Sequence, residues 1–196
     1  MPLLTPENYN AIATFILNEN NHARIPNTGD IENAGGCGAF VVRTIETALQ
    51  VRVSNPYIFD AKSTLSAIPA GHTVVCFAEL ATLPRGSILA IYRDGGIRRG
   101  IIHYMLYCGE INGFQTIVGR NNTGRLNRTD NGFSDRSPLF RKILDTDFVG
   151  GSNRYKHDAD IDAAAETPFD FNICHITNIE VEPAPAPAQQ GCCNIL

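Results

Sequence analysis

The chain has 196 residues, a formal net charge of −4, 43% hydrophobic residues and 18% charged ones. One domain of this size buries roughly 70% of its extended-chain surface and builds a core without cross-links. The acidic balance removes the electrostatic footprint of a nucleic-acid binder, and no apolar run approaches the ~20 residues of a membrane helix. Six cysteines remain as the feature that size and charge do not explain.

The elements are read in chain order. Thr5-Pro6-Glu7 is a helix start, with a hydroxyl cap, Pro at the first helical position and an acid in the first turn. Tyr9, Ile12, Phe15 and Ile16 then recur on one helical face. Residues 18 to 34 are polar and loop-like. A second amphipathic helix is expected after Gly38, carrying Phe40, Val41, Ile45, Ala48 and Leu49, and Asp60 is expected to cap a short helix that Pro69 ends. From about Thr73 the period changes, and strands are expected over residues 74–77, 87–92, 101–108, 114–118 and 171–176. Asp94-Gly95-Gly96 and Asn112-Gly113 supply turns between them. Helices first and an antiparallel sheet afterwards is an α+β plan. The organisation expected is one domain over residues 1–182 and a Pro/Ala-rich tail over residues 183–196.

The cysteines divide by setting. The stretch from Met1 to Asn20 holds no Lys or Arg and breaks its apolar residues with Glu7, Asn8, Asn10, Asn18 and Glu19, unlike a secretory signal. No C-x-x-C pair suggests zinc. Asp158, Asp160 and Asp162 lack the glycine a calcium loop needs, since Ala163 stands there, so no metal or other cofactor is expected. Cys76, Cys108 and Cys174 sit in apolar runs, where a reduced thiol is a small core residue. The chain ends Cys193-Asn194-Ile195-Leu196, a prenylation box whose final Leu favours geranylgeranyl. It follows an alternating Pro/Ala spacer from Pro183 to Gly191, which cannot pack a core. A single lipid chain binds membranes only marginally. No polybasic segment precedes the box, so Cys192 is the candidate second signal, by palmitoylation. This tail predicts a partner prenyltransferase and a place on the cytosolic face of a eukaryotic membrane.

Cys37 lies in Gly35-Gly36-Cys37-Gly38-Ala39-Phe40-Val41, which sets a thiol in the first turn of a helix. Backbone N–H groups and the helix dipole favour a thiolate there, and the glycines leave room for a substrate backbone. Together with Pro84-Arg85-Gly86-Ser87-Ile88-Leu89, His103 in the next strand and Arg120-Asn121-Asn122-Thr123-Gly124, this order resembles the papain-like cysteine peptidases, including their NlpC-type and CHAP branches. The resemblance covers roughly residues 30–125. It departs at Gly36, where an Asp is usual before an NlpC-type nucleophile, and at Ile31, where papain itself places an oxyanion Gln. Asn33 and Asn27 are further side chains near enough in sequence to donate there.

The resemblance implies a papain-like fold with the nucleophile's helix packed on the sheet. It also implies a Cys37–His103–Asn121 triad acting on a protein or peptide amide through a thioester. Hairpin counting leaves Asn121 and Asn122 both open as the residue beside His103, and the family motif selects Asn121. Such a catalytic domain on a host-processed lipid tail has the pattern of an effector injected by an intracellular bacterium. The same site suits deamidation, transglutamination or acyl transfer, and a lipid-anchored binding module without catalysis is the alternative of another class.

Overall fold

A computed structural model describes residues 2–25, 36–59, 70–75, 77–94, 100–111, 114–120, 126–128, 153–155 and 169–185. Among the described residues, helices α1 (Pro6–Leu17), α2 (Gly36–Leu49) and α3 (Phe77–Leu80) accompany nine strands. These are β1 (Val51–Val53), β2 (His72–Val75), β3 (Ile88–Asp94), β4 (Gly100–Ile111), β5 (Phe114–Arg120), β6 (Leu126–Arg128), β7 (Asn153–Tyr155), β8 (Phe169–Ile176) and β9 (Val181–Pro183). Seven strands form one sheet in the order β2-β8-β3-β4-β5-β6, with β7 also paired to β8; β1 and β9 form a separate pair. Every pairing is antiparallel. The fold is α+β.

Local chemistry explains where α1 begins. The Thr5 hydroxyl accepts from the Asn8 N–H at 3.3 Å, and the Asn8 side-chain oxygen accepts from the Thr5 N–H at 3.0 Å. This reciprocal box satisfies two of the donors a helix start leaves open. Helix α1 packs on α2, and both lie on one face of the sheet against β4. The core between them holds Ile12, Ile16, Phe40, Val41 and Ile45 from the helices and Ile88, Ala90, Tyr104, Leu106, Cys108 and Val118 from the sheet. The opposite face carries a second cluster: Leu89, Ile91, Met105, Tyr107, Ile117 and Ile173, joined by Leu80 from α3. A sheet apolar on both faces needs cover on both.

Several boundaries differ from the sequence reading. Helix α2 begins at Gly36, so Cys37 is its second residue. The strand expected through Phe77 ends at Val75, and the chain turns into α3, which buries Leu80 completely. Pro183, expected in the tail, closes β9 opposite Val51. The short helix expected after Asp60 lies outside the described residues, as do Cys76 and residues 186–196.

Residues 2–4 and 179–181 meet on this frame. The Leu4 N–H donates to the Ile179 carbonyl at 3.3 Å and the Val181 N–H to the Pro2 carbonyl at 3.0 Å. Asn55, 3% exposed, binds both ways: its amide donates to the Asn178 carbonyl at 2.8 Å and its oxygen accepts from the Glu180 N–H at 3.0 Å. The segment leading to the tail is thereby fixed beside the C-terminal end of α2.

Candidate active site

The site is built where the first turn of α2 meets the middle of β4. Cys37 is buried and reduced. Hydrogen bonding to the backbone of Tyr104 on β4, of Gly38 and of Cys37 itself draws its pKa down. These bonds favour the thiolate, but desolvation outweighs them and holds the thiol above its ordinary pKa of 9.0. Burial alone acts on Cys174, pushed up to about 11.

Gly38 is fixed by a close approach. A Cβ there would meet the Phe59 carbonyl at 2.5 Å and the Phe59 Cβ at 3.0 Å, so a side chain would displace the turn Pro56–Phe59. That turn is clamped from the other side too. The Tyr104 hydroxyl donates to the Ile58 carbonyl at 3.0 Å, and the Phe59 and Tyr104 rings meet edge-to-face at 5.3 Å. Gly36 differs: it is exposed, and a Cβ there would meet nothing within 4 Å.

His103 is the residue before Tyr104. It is 8% exposed, and burial holds its imidazole neutral, with the pKa lowered to about 4. It pairs across from Ile91, which belongs to the cluster on the far face, whereas Tyr104 belongs to the helix-side core with Cys37. Strand alternation thus counts His103 and Cys37 onto opposite faces. The pairing shifts at this very point: Ile91 pairs with His103 but Tyr92 with Ile101, leaving Ile102 as an extra residue on β4. Such a bulge bends its strand and re-aims the side chains next to it. The structure brings Cys37 to the β4 backbone one residue from His103.

Asn121, Asn122, Cys192 and Cys193 lie outside the described residues, with Asn27, Ile31 and Asn33. The described pairing of β4 with β5 runs from Leu106 opposite Val118 to Ile111 opposite Phe114. Ile111 pairs with Phe114, a two-residue connection that taken alone aligns position 103 with position 122. A second shift between Tyr107 and Gly109 moves the alignment by one, so that Leu106 faces Val118. Arg85 supports this bulge by donating from Nε to the Cys108 carbonyl at 3.0 Å.

Two contributors escaped the sequence reading. Tyr104 contributes through its backbone, which every residue type carries alike and no motif marks. The Pro56–Phe59 turn carries no motif beyond its Pro. Among the described residues, no group of three or more His, Cys, Asp or Glu is placed to hold a metal, and no helix is long and apolar enough to cross a membrane. Compared with known proteins, the chain matches no family model, no curated protein and no solved structure.

The neutral His103 links stability to pH. Its folded pKa of about 4 lies below the ordinary 6.5, so the unfolded chain binds more protons between those values. Stability is therefore full above pH 6.5 and falls as the pH drops toward 4, by about 3 kcal/mol from this residue. Urea unfolding of wild type and His103→Gln at pH 7 and pH 4.5 measures it. The variant should lose markedly less stability on acidification; an equal loss would refute the burial of a neutral imidazole.

Proposed function

We propose that the chain is a papain-like cysteine hydrolase held on a membrane by its C-terminal lipid, and that it acts on protein or peptide amides. The observation that carries this reading is a buried thiol in the first turn of a helix packed against the strand that bears His103, with the backbone of Tyr104, Gly38 and Cys37 drawing its pKa down against burial. The α+β order of helices and antiparallel strands supports it, and the offset between β4 and β5 supports Asn121 over Asn122 as the third member.

In this mechanism the thiol is not ionised in advance. His103, neutral above about pH 4, takes the Cys37 proton as sulfur attacks the acyl carbonyl carbon. Because the strand count sets His103 on the face opposite Cys37, this mechanism requires its ring to reach the α2 side past the Ile102 bulge. The Cys37 N–H holds the oxyanion. As the tetrahedral species collapses, His103 returns the proton to the leaving amine and a thioester remains. Water then attacks the thioester, giving its proton to His103, and Cys37 leaves and recovers its own. Asn121 orients the imidazole. Another acceptor in place of water would make the same site a transglutaminase or acyltransferase, and a glutamine side-chain amide as substrate would make it a deamidase.

p-Nitrophenyl acetate tests the nucleophile without knowledge of the substrate. Wild type should release a burst of one nitrophenolate per chain and carry an acetyl group on Cys37, and Cys37→Ala should lose both. A burst unchanged in Cys37→Ala would overturn the assignment. The strand count at His103 favours a second reading, a lipid-anchored binding module with Cys37 as a core residue; that reading predicts no burst at all.

The tail is tested separately. Expressed in a eukaryotic cell, the wild-type chain should sediment with membranes and Cys193→Ser should become predominantly soluble, because Cys192 alone supplies no prenyl group. Retention of Cys193→Ser on membranes would refute the prenylation box. The bacterial-effector origin follows from the pairing of such a tail with a hydrolase of this kind.

A further inference from the structure

The turn that closes over Gly38 carries an aromatic side chain that packing does not use. Tyr57 is 67% exposed, the one aromatic among the large exposed apolar side chains of the described residues. Its neighbours are tightly held. Ile58 is bonded through its carbonyl to Tyr104, and Phe59 abuts Gly38, so residues 58 and 59 touch two of the three residues whose backbone acts on the sulfur. Tyr57 is therefore carried at a fixed place beside the site by a turn with little freedom. An exposed aromatic ring alone needs no explanation. The second observation concerns Gly36, immediately before Cys37: it is exposed with open space around its Cβ position, so packing does not require glycine there, in contrast to Gly38.

We propose that Gly36 and Tyr57 form the substrate side of the site, where an extended peptide backbone passes over Gly36 and Tyr57 receives an aromatic or large aliphatic side chain next to the scissile acyl group. The proposal rests on the reading of Cys37 as nucleophile. A peptide crossing Gly36 needs the space a side chain would fill, and a Tyr ring offers a large flat contact at low entropic cost. Tyr57 is a binding residue: it selects the acyl group and takes no part in proton transfer.

The experiment compares hydrolysis of N-acetyl-phenylalanine p-nitrophenyl ester with that of p-nitrophenyl acetate in wild type, Tyr57→Ala and Tyr57→Phe. Tyr57→Ala should lower kcat/KM for the phenylalanyl ester about tenfold, through KM, and leave the acetate within about twofold. Tyr57→Phe should restore the phenylalanyl ester. Equal losses on both esters, or a loss on neither, would overturn the proposal. Should wild type hydrolyse neither ester and leave Cys37 unacylated, the nucleophile reading fails, and binding decides Tyr57 by itself. N-acetyl-phenylalanine amide should then shift the amide resonances of Gly36 and Tyr57 in wild type and leave those of Gly36 unmoved in Tyr57→Ala. No shift in wild type would overturn the proposal.

Discussion

Replacement of Gly86 by alanine should destabilise the protein by about 3–5 kcal/mol, the largest loss expected from a single methyl group at the described glycines. Two independent costs meet there. Gly86 has φ +91°, in the left-handed region where an L side chain is strained. A Cβ on it would also drive into the backbone carbonyl of Tyr9 on α1, and backbone cannot swing aside as the end of a long side chain does. The surroundings are held as well: the Gly86 N–H donates to the Tyr107 carbonyl at 2.6 Å, and the Tyr107 N–H donates to the Ser87 carbonyl at 2.8 Å. Relief of the clash would have to part α1 from the β3–β4 pair. Gly36→Ala is the control, since a Cβ there meets nothing within 4 Å and its φ is not positive. Thermal unfolding should show Gly86→Ala lowered by about 10 °C or more and Gly36→Ala near wild type. A Gly86→Ala melting temperature within a degree or two of wild type would refute the strained contact.

The elements that were legible in the sequence are those with strong local chemistry. Thr5, Pro6 and Asn8 mark the start of α1 because caps are local. Continuous apolar runs over β3 and β4, bounded by turn residues, mark strands buried on both faces. Strands β1, β6, β7 and β9 are three residues each, too short for any period, and they exist because a partner strand is at hand. Pro183 closes such a strand although its ring offers no donor, which a strand end tolerates. Phe77 continued an apolar run and so read as strand. The turn into α3 is dictated by the far face of the sheet, which Leu80 covers, and that is tertiary information.

For the site, the glycines around Cys37 pointed to a helix start, but the two glycines have different causes that only the fold separates. Gly38 is required by Phe59, whereas Gly36 is left open. Hairpin counting could not choose between Asn121 and Asn122 because it assumes an unbroken ladder. Strand β4 breaks its ladder twice, beside His103 and at Cys108, and each extra residue moves the alignment by one. The bulge at Cys108 had a signal in Gly109; the one at Ile102 sits among β-branched residues and had none.

The Cys37–His103 couple is the centre of the functional reading, and the pH dependence of alkylation addresses it without any substrate. Burial holds the thiol above 9.0, so a lone Cys37 would be less than about 1% thiolate at pH 7 and would react slowly. A neutral imidazole that reaches the sulfur would change the rate law. By taking the proton as sulfur attacks, it supplies on the order of a hundredfold or more, and it stays competent down to its pKa of about 4. The measurement is the rate of iodoacetamide labelling at Cys37, followed by peptide mass spectrometry from pH 4.5 to 9.5, in wild type and His103→Ala. The couple predicts a wild-type rate nearly flat from about pH 5 to 9, and a variant roughly a hundredfold slower at pH 7 that climbs about tenfold per pH unit. Wild type and His103→Ala on one common rising line would contradict it.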